Sequence, residues 1–156
     1  MTNLLVKDDA ATPKEWTLIP ISDNPESFWR ANDSAIPLDG QPRLTVSVVK
    51  QKNGGYKITA KLEVPTMETL GASGTSSGYV APPRVAYVTP VIITMFADKR
   101  STSADRMNAL NMAVGLCQGA SSVTASGTLT QATAGAGWSA SAAPLVQLFN
   151  GLVVPN

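Results

Sequence analysis

The chain has 156 residues and a mass of 16.3 kDa, with 44% hydrophobic and 15% charged residues and a formal net charge of +1. That is the size of one domain with a sizeable core. There is no histidine and one cysteine, which excludes Ser-His-Asp and Cys-His catalysis, imidazole metal ligation, a histidine pH switch, an internal disulfide and a cysteine zinc cage. Cys117 reads as a small buried apolar residue.

The near-zero charge hides a segregation. Residues 1–42 carry three basic and seven acidic side chains, residues 43–106 carry nine basic and four acidic, and residues 107–156 carry none. The middle block can therefore present a basic surface, the usual footprint of phosphate binding, although a solvated polar face would look the same. Fifty uncharged residues in a row are unusual for an exposed surface, so partners or Ser and Thr hydroxyls must cover that segment. Its apolar stretch at 145–154 is too short for a membrane span and is broken by Gln147 and Asn150. No signal peptide pattern opens the sequence, and an intracellular protein without membrane association is expected.

In chain order, residues 1–42 read as short strands and turns. Residues 16–21 alternate weakly, Asp23-Asn24-Pro25 is a turn signal, and residues 28–31 form the return strand of a hairpin. Asp39-Gly40 marks a further turn. In residues 44–48 and 56–64 every second position is apolar, the period of a half-buried strand. Lys52-Asn53-Gly54-Gly55 lies between them and predicts a tight Asn-Gly hairpin with positive φ at both central positions. Residues 66–83 form a long Gly/Ser/Thr/Pro-rich loop. Residues 84–97 return as a strand, apolar on both faces and so expected to be covered on both, with Pro90 predicting a bulge or an unpaired edge.

Thr102 followed by Asp105 resembles a capping box and opens a helix over 101–118, with Met107, Leu110, Val114 and Cys117 on one stripe. Residues 119–143 are low-complexity, 21 of 25 being Ala, Ser, Thr or Gly. Pro144 starts a second short helix over 144–152. The whole chain reads as a single α+β domain. It has N-terminal strands and turns (1–42), a central antiparallel sheet (43–97), and two C-terminal helices laid on one face of the sheet and separated by the insertion.

Three segments taken together resemble the coat protein of single-stranded RNA bacteriophages, the levivirus group. They are Arg43-Leu44-Thr45-Val46-Ser47-Val48, then Gly55-Tyr56-Lys57-Ile58-Thr59-Ala60-Lys61-Leu62-Glu63-Val64-Pro65-Thr66, then Arg84-Val85-Ala86-Tyr87. The likeness runs over about residues 15–118, with a weaker echo at 143–156. It implies an interlocked homodimer whose sheets join, helices crossing onto the partner, and an icosahedral shell in a virion assembled in the host bacterial cytoplasm. It also implies an inward sheet face that binds a viral RNA hairpin for packaging and translational repression. No enzyme activity, cofactor or metal is implied.

The polar set of the alternation supplies the RNA-facing candidates: Arg43, Thr45, Ser47, Lys57, Thr59, Lys61, Tyr87 and Thr89. Lysine and arginine neutralise phosphates, hydroxyls bond base edges, and a tyrosine ring stacks on an unpaired base. By similarity, Thr45, Ser47, Thr59 and Lys61 match the family's pocket for an unpaired adenine and Tyr87 its stacking tyrosine. Thr89 departs from the amide or carboxylate of better-known members, Val49 from a basic residue, and 120–142 has no counterpart. Each candidate taken singly also fits a plain strand former, a solubilising charge or, for Tyr87, a core residue. The competing reading is a non-viral filament or binding module, pilin-like or adhesin-like, without RNA. No carboxylate spacing or phosphate-loop pattern supports an enzyme.

Overall fold

The computed structural model describes residues 1–10, 12–24, 26–68 and 83–118. They fall into two compact units. The first, Met1–Lys7 with Glu15–Lys99, is a six-stranded antiparallel sheet in which every strand pairs with its sequence neighbour, in the order β1-β2-β3-β4-β5-β6. The strands are β1 Leu4–Lys7, β2 Glu15–Ser22, β3 Ser27–Ala31, β4 Arg43–Lys50, β5 Tyr56–Met67 and β6 Val85–Ala97.

The hairpin of β2 and β3 lies where the sequence predicts it, while β1 is an addition. Its four residues are a weak signal alone, and pairing with β2 (Leu4↔Leu18, Lys7↔Glu15) makes them a strand. The Trp29 indole Nε1 donates to the Thr2 carbonyl at 3.0 Å and ties the N-terminus to β3. Between β3 and β4 a single 3-10 turn, Leu38–Gly40, is organised by Gln41. The buried Gln41 amide donates to the carbonyls of Asp33 and Ile36 at 2.7 and 3.0 Å. A Cβ on Gly40 would collide with the Met67 sulfur, so glycine is what lets this turn approach the end of β5.

The β4–β5 hairpin forms as expected, but with a different turn. The Gly54 amide donates to the Gln51 carbonyl, the Gln51 amide to the Gly55 carbonyl, and Gly54 alone among the described glycines has positive φ, +84°. This is the three-residue loop closed by a left-handed glycine rather than a two-residue Asn-Gly turn. Asn53 serves the turn with its side chain, whose Oδ1 accepts from the Gly55 amide at 3.0 Å.

β5 runs past the start of β4, which ends its pairing at Arg43↔Glu63. Pro65 therefore sits where one side of β5 has no ladder to serve. The same logic holds for Pro90. It lies in register opposite Glu63 on β6, which pairs only with β5 among the described strands. The expected irregularity occurs instead at Thr66/Met67, where Ala86 is the extra residue on β6. Most of β6 is exposed on both faces, so any cover for it lies outside the sheet itself. Among the described residues the buried apolar side chains include Leu18, Ala31 and Ala97.

The second unit comprises, in its described part, residues 8–10, 12–14 and 100–118. Asp8 Oδ1 accepts from the Lys14 amide at 2.8 Å and shapes the loop after β1. Helix α1, Ser103–Gln118, opens with the predicted capping box. The Asp105 amide donates to Thr102 Oγ1 at 3.2 Å, and Asp105 Oδ2 accepts from the Thr102 amide and hydroxyl at 2.9 and 2.8 Å. Those two bonds hold the Asp105 carboxyl below its ordinary pKa. Met107, Leu110 and Val114 of its apolar stripe are exposed. The expected insertion (119–143), the second helix (144–152) and most of the long loop lie outside the described residues.

Candidate nucleic-acid interface

Residues directly opposite in an antiparallel pair share a face, so the register assigns every candidate to one side of the sheet. Across β4 and β5 the pairs are Arg43↔Glu63, Thr45↔Lys61, Ser47↔Thr59 and Val49↔Lys57. Six of the eight predicted residues, Arg43, Thr45, Ser47, Lys57, Thr59 and Lys61, therefore lie on one face, in rows two residues apart along each strand. On β3 the same face carries Phe28 opposite Thr45 and Arg30 opposite Arg43. On β6 it carries Pro90, Ile92, Thr94 and Phe96, opposite Glu63, Lys61, Thr59 and Lys57.

Tyr87 and Thr89 are not on this face. Tyr87 pairs with Thr66 and Thr89 with Val64, so both lie on the opposite side with Leu62, Ala60 and Ile58. The single-face expectation is corrected for these two residues. Strand alternation is right within β6, but its phase against β5 is shifted by one. Tyr87 is no core residue within the chain either, being 61% exposed.

The opposite face is apolar through Leu44, Val46 and Val48 on β4, Ile58, Ala60, Leu62 and Val64 on β5, and Val91, Ile93 and Met95 on β6. The sheet is thus two-sided in chemistry, with hydroxyls and cations on one face and aliphatic groups on the other. The polar face is electrostatically uneven. Lys61 Nζ meets the Glu63 carboxylate at 3.0 Å, with the lysine 41% exposed. A pair this open contributes little to stability and can be exchanged for a phosphate at small cost. Phe96 is 68% exposed beside Lys57.

Among the polar-face residues that the sequence reading did not single out are Arg30 and Phe96. The signal for Arg30 is its place opposite Arg43, visible only once β3 is paired with β4. That for Phe96 is the β5–β6 register. No group of His, Cys, Asp and Glu able to hold a metal exists among the described residues, and no described helix is long and apolar enough to cross a membrane.

Comparison with known proteins gives this two-faced sheet a family. Residues 1–134 match the family model of the levivirus coat protein. The capsid protein of Pseudomonas phage PRR1 is 37% identical over 114 residues, covering 72% of this chain and 81% of that protein. Among solved structures, the virus-like particle of bacteriophage EMS014 is 44% identical, matching all of this chain and 99% of its own with a TM-score of 0.83. The capsid protein of bacteriophage GA, 23% identical, shares the fold over 73% of this chain and 82% of its own, with a TM-score of 0.55. These relatives displace the pilin-like or adhesin-like alternative. The chain belongs to the levivirus coat protein family and is a structural capsid protein of the phage virion, not an enzyme.

Proposed function

We propose that this coat protein dimerises along β6, assembles into a closed icosahedral shell, and binds single-stranded viral RNA on the polar sheet face, packaging the genome and repressing translation. The observation that carries the RNA reading is the shared face of Thr45, Lys61, Ser47 and Thr59, flanked by Arg43 and Lys57. Hydroxyls at the centre select base edges, and cations at the margins hold phosphates. Tyr87 and Thr89 have no part in that contact, because they face the other way.

The dimer reading rests on β6. It is 13 residues long, borders the sheet, and exposes Val91 and Ile93 on one face and Ile92 and Phe96 on the other. A long apolar edge of this kind invites pairing with another strand. Joining two copies along β6 continues the sheet, and a partner's helix with its exposed Met107, Leu110 and Val114 stripe supplies cover for the aliphatic face. The similar EMS014 chain comes from a virus-like particle, which supports shell assembly here.

The test is expression of the full chain followed by electron microscopy and nuclease digestion of the same fraction, with Lys61→Ala alongside. Closed particles with nuclease-protected RNA, formed by both proteins but with weaker RNA affinity in the variant, are expected. Particles whose RNA affinity is unchanged by Lys61→Ala would remove the polar face from the account.

A further inference from the structure

The row of the polar face that crosses all the inner strands is Ile19–Arg30–Arg43–Glu63–Pro90. Arg30 and Arg43 are direct cross-strand partners, which sets their Cβ atoms roughly 5 Å apart on the same face. Like charges so placed repel. Both residues are half-buried, and the Nε atom of each is buried with no hydrogen-bond partner.

The carboxylate nearest in the row is Glu63, whose Oε1 is engaged by Lys61 at 3.0 Å. On β2 the acidic residue of this face is Glu15, four residues from Ile19 and in register with Lys7, about 13 Å along the strand. Two arginines thus sit opposite each other on one face, each with a buried, unpartnered Nε and no carboxylate paired with it among the described residues. A guanidinium offers a planar fork of donors that matches a phosphate bidentately.

We propose that Arg30 and Arg43 together form a phosphodiester clamp that carries the RNA backbone across β3 and β4, beside the base-contacting rows of Thr45–Lys61 and Ser47–Thr59. The clamp extends the RNA surface to a strand outside the eight candidate residues, and it rests on the RNA-binding reading above. The phosphate supplies the missing acceptors and relieves the repulsion between the two cations. Arg30 contributes affinity that does not depend on sequence, because it meets backbone rather than bases.

The experiment is a fluorescence-anisotropy titration of the full-length chain against a labelled oligoadenylate RNA over a potassium chloride series. Arg30→Gln, Arg30→Lys and Lys61→Gln are compared with the unmodified protein, and RNA-free melting temperatures are recorded. Loss of one phosphate contact makes the slope of log K against log salt shallower by about 0.7 and lowers low-salt affinity roughly tenfold. Arg30→Gln is expected to do both, Arg30→Lys to restore the slope without the full affinity, and the RNA-free melting temperature of Arg30→Gln to equal or exceed the unmodified value. An unchanged slope in Arg30→Gln with a reduced one in Lys61→Gln overturns the clamp and leaves the RNA face standing. Unchanged slopes in both overturn the face itself. A lower RNA-free melting temperature in Arg30→Gln makes it a packing residue and overturns the clamp.

Discussion

The β4–β5 hairpin and the β5–β6 pair build adjoining parts of one polar face, yet their registers are set by different means. Between β4 and β5 the connection is a three-residue loop, and its hydrogen bonds leave the strands no freedom to slip. Between β5 and β6 the connection is residues 68–84, too long for turn chemistry to choose a register. There the register carries an extra residue, Ala86, at the Thr66/Met67 irregularity. A short turn transmits the alternation of one strand to the next. A connection of many residues does not, and with a period of two a one-residue offset exchanges the faces.

The largest effect is expected from breaking the tight side of this comparison. Gly55 is buried, and a Cβ there would come within 2.7 Å of the Ala97 carbonyl on β6. Gly55→Val should destabilise the sheet by about 1–3 kcal/mol through overpacking, read by chemical denaturation. A loss well below that would mean the hairpin end can shift away from β6. Gly54→Ala keeps the space but strains the left-handed backbone, at about 1–2 kcal/mol.

The loose side is tested by which residues matter for RNA. Adding a lysine at Thr94, beside Thr59, should steepen the salt dependence of RNA binding by about 0.7–0.9. Tyr87→Ala should leave RNA affinity unchanged and impair assembly instead, since Tyr87 lies on the aliphatic face. Weakened RNA binding in Tyr87→Ala, with assembly intact, would mean that β6 is displaced by one residue from the register described.

A smaller effect is expected at the start of α1. The lowered pKa of Asp105 means that its capping contribution is complete above the ordinary carboxylate value. It is lost as pH falls from there through the lowered value of the folded state. Circular dichroism during acid titration should show helix loss in that window. Asp105→Asn should remove this acid-dependent step; an identical titration in the variant would assign the loss to other groups.

These contrasts explain what could be read from the sequence. Strands β2 to β6, the hairpin at Gly54 and the Thr102–Asp105 cap have local causes, namely alternation, a turn glycine and a side chain that bonds its own backbone. The six polar residues on β4 and β5 were legible for the same reason. Tyr87 and Thr89 were placed on the wrong face because their face depends on pairing with β5 across a long stretch of sequence. Arg30 was missed because its meaning comes from Arg43 on the next strand rather than from neighbours in sequence. The four residues of β1 were too few to show a period and became a strand by pairing with β2.

The most direct test of the central claim is a cryo-electron microscopy reconstruction of particles formed by the full chain. Closed shells are expected in which β6 strands pair across a two-fold axis and the Arg30, Arg43, Thr45 and Lys61 face looks inward against RNA density. Shells with that face outward, or dimers joined through another strand, would contradict it.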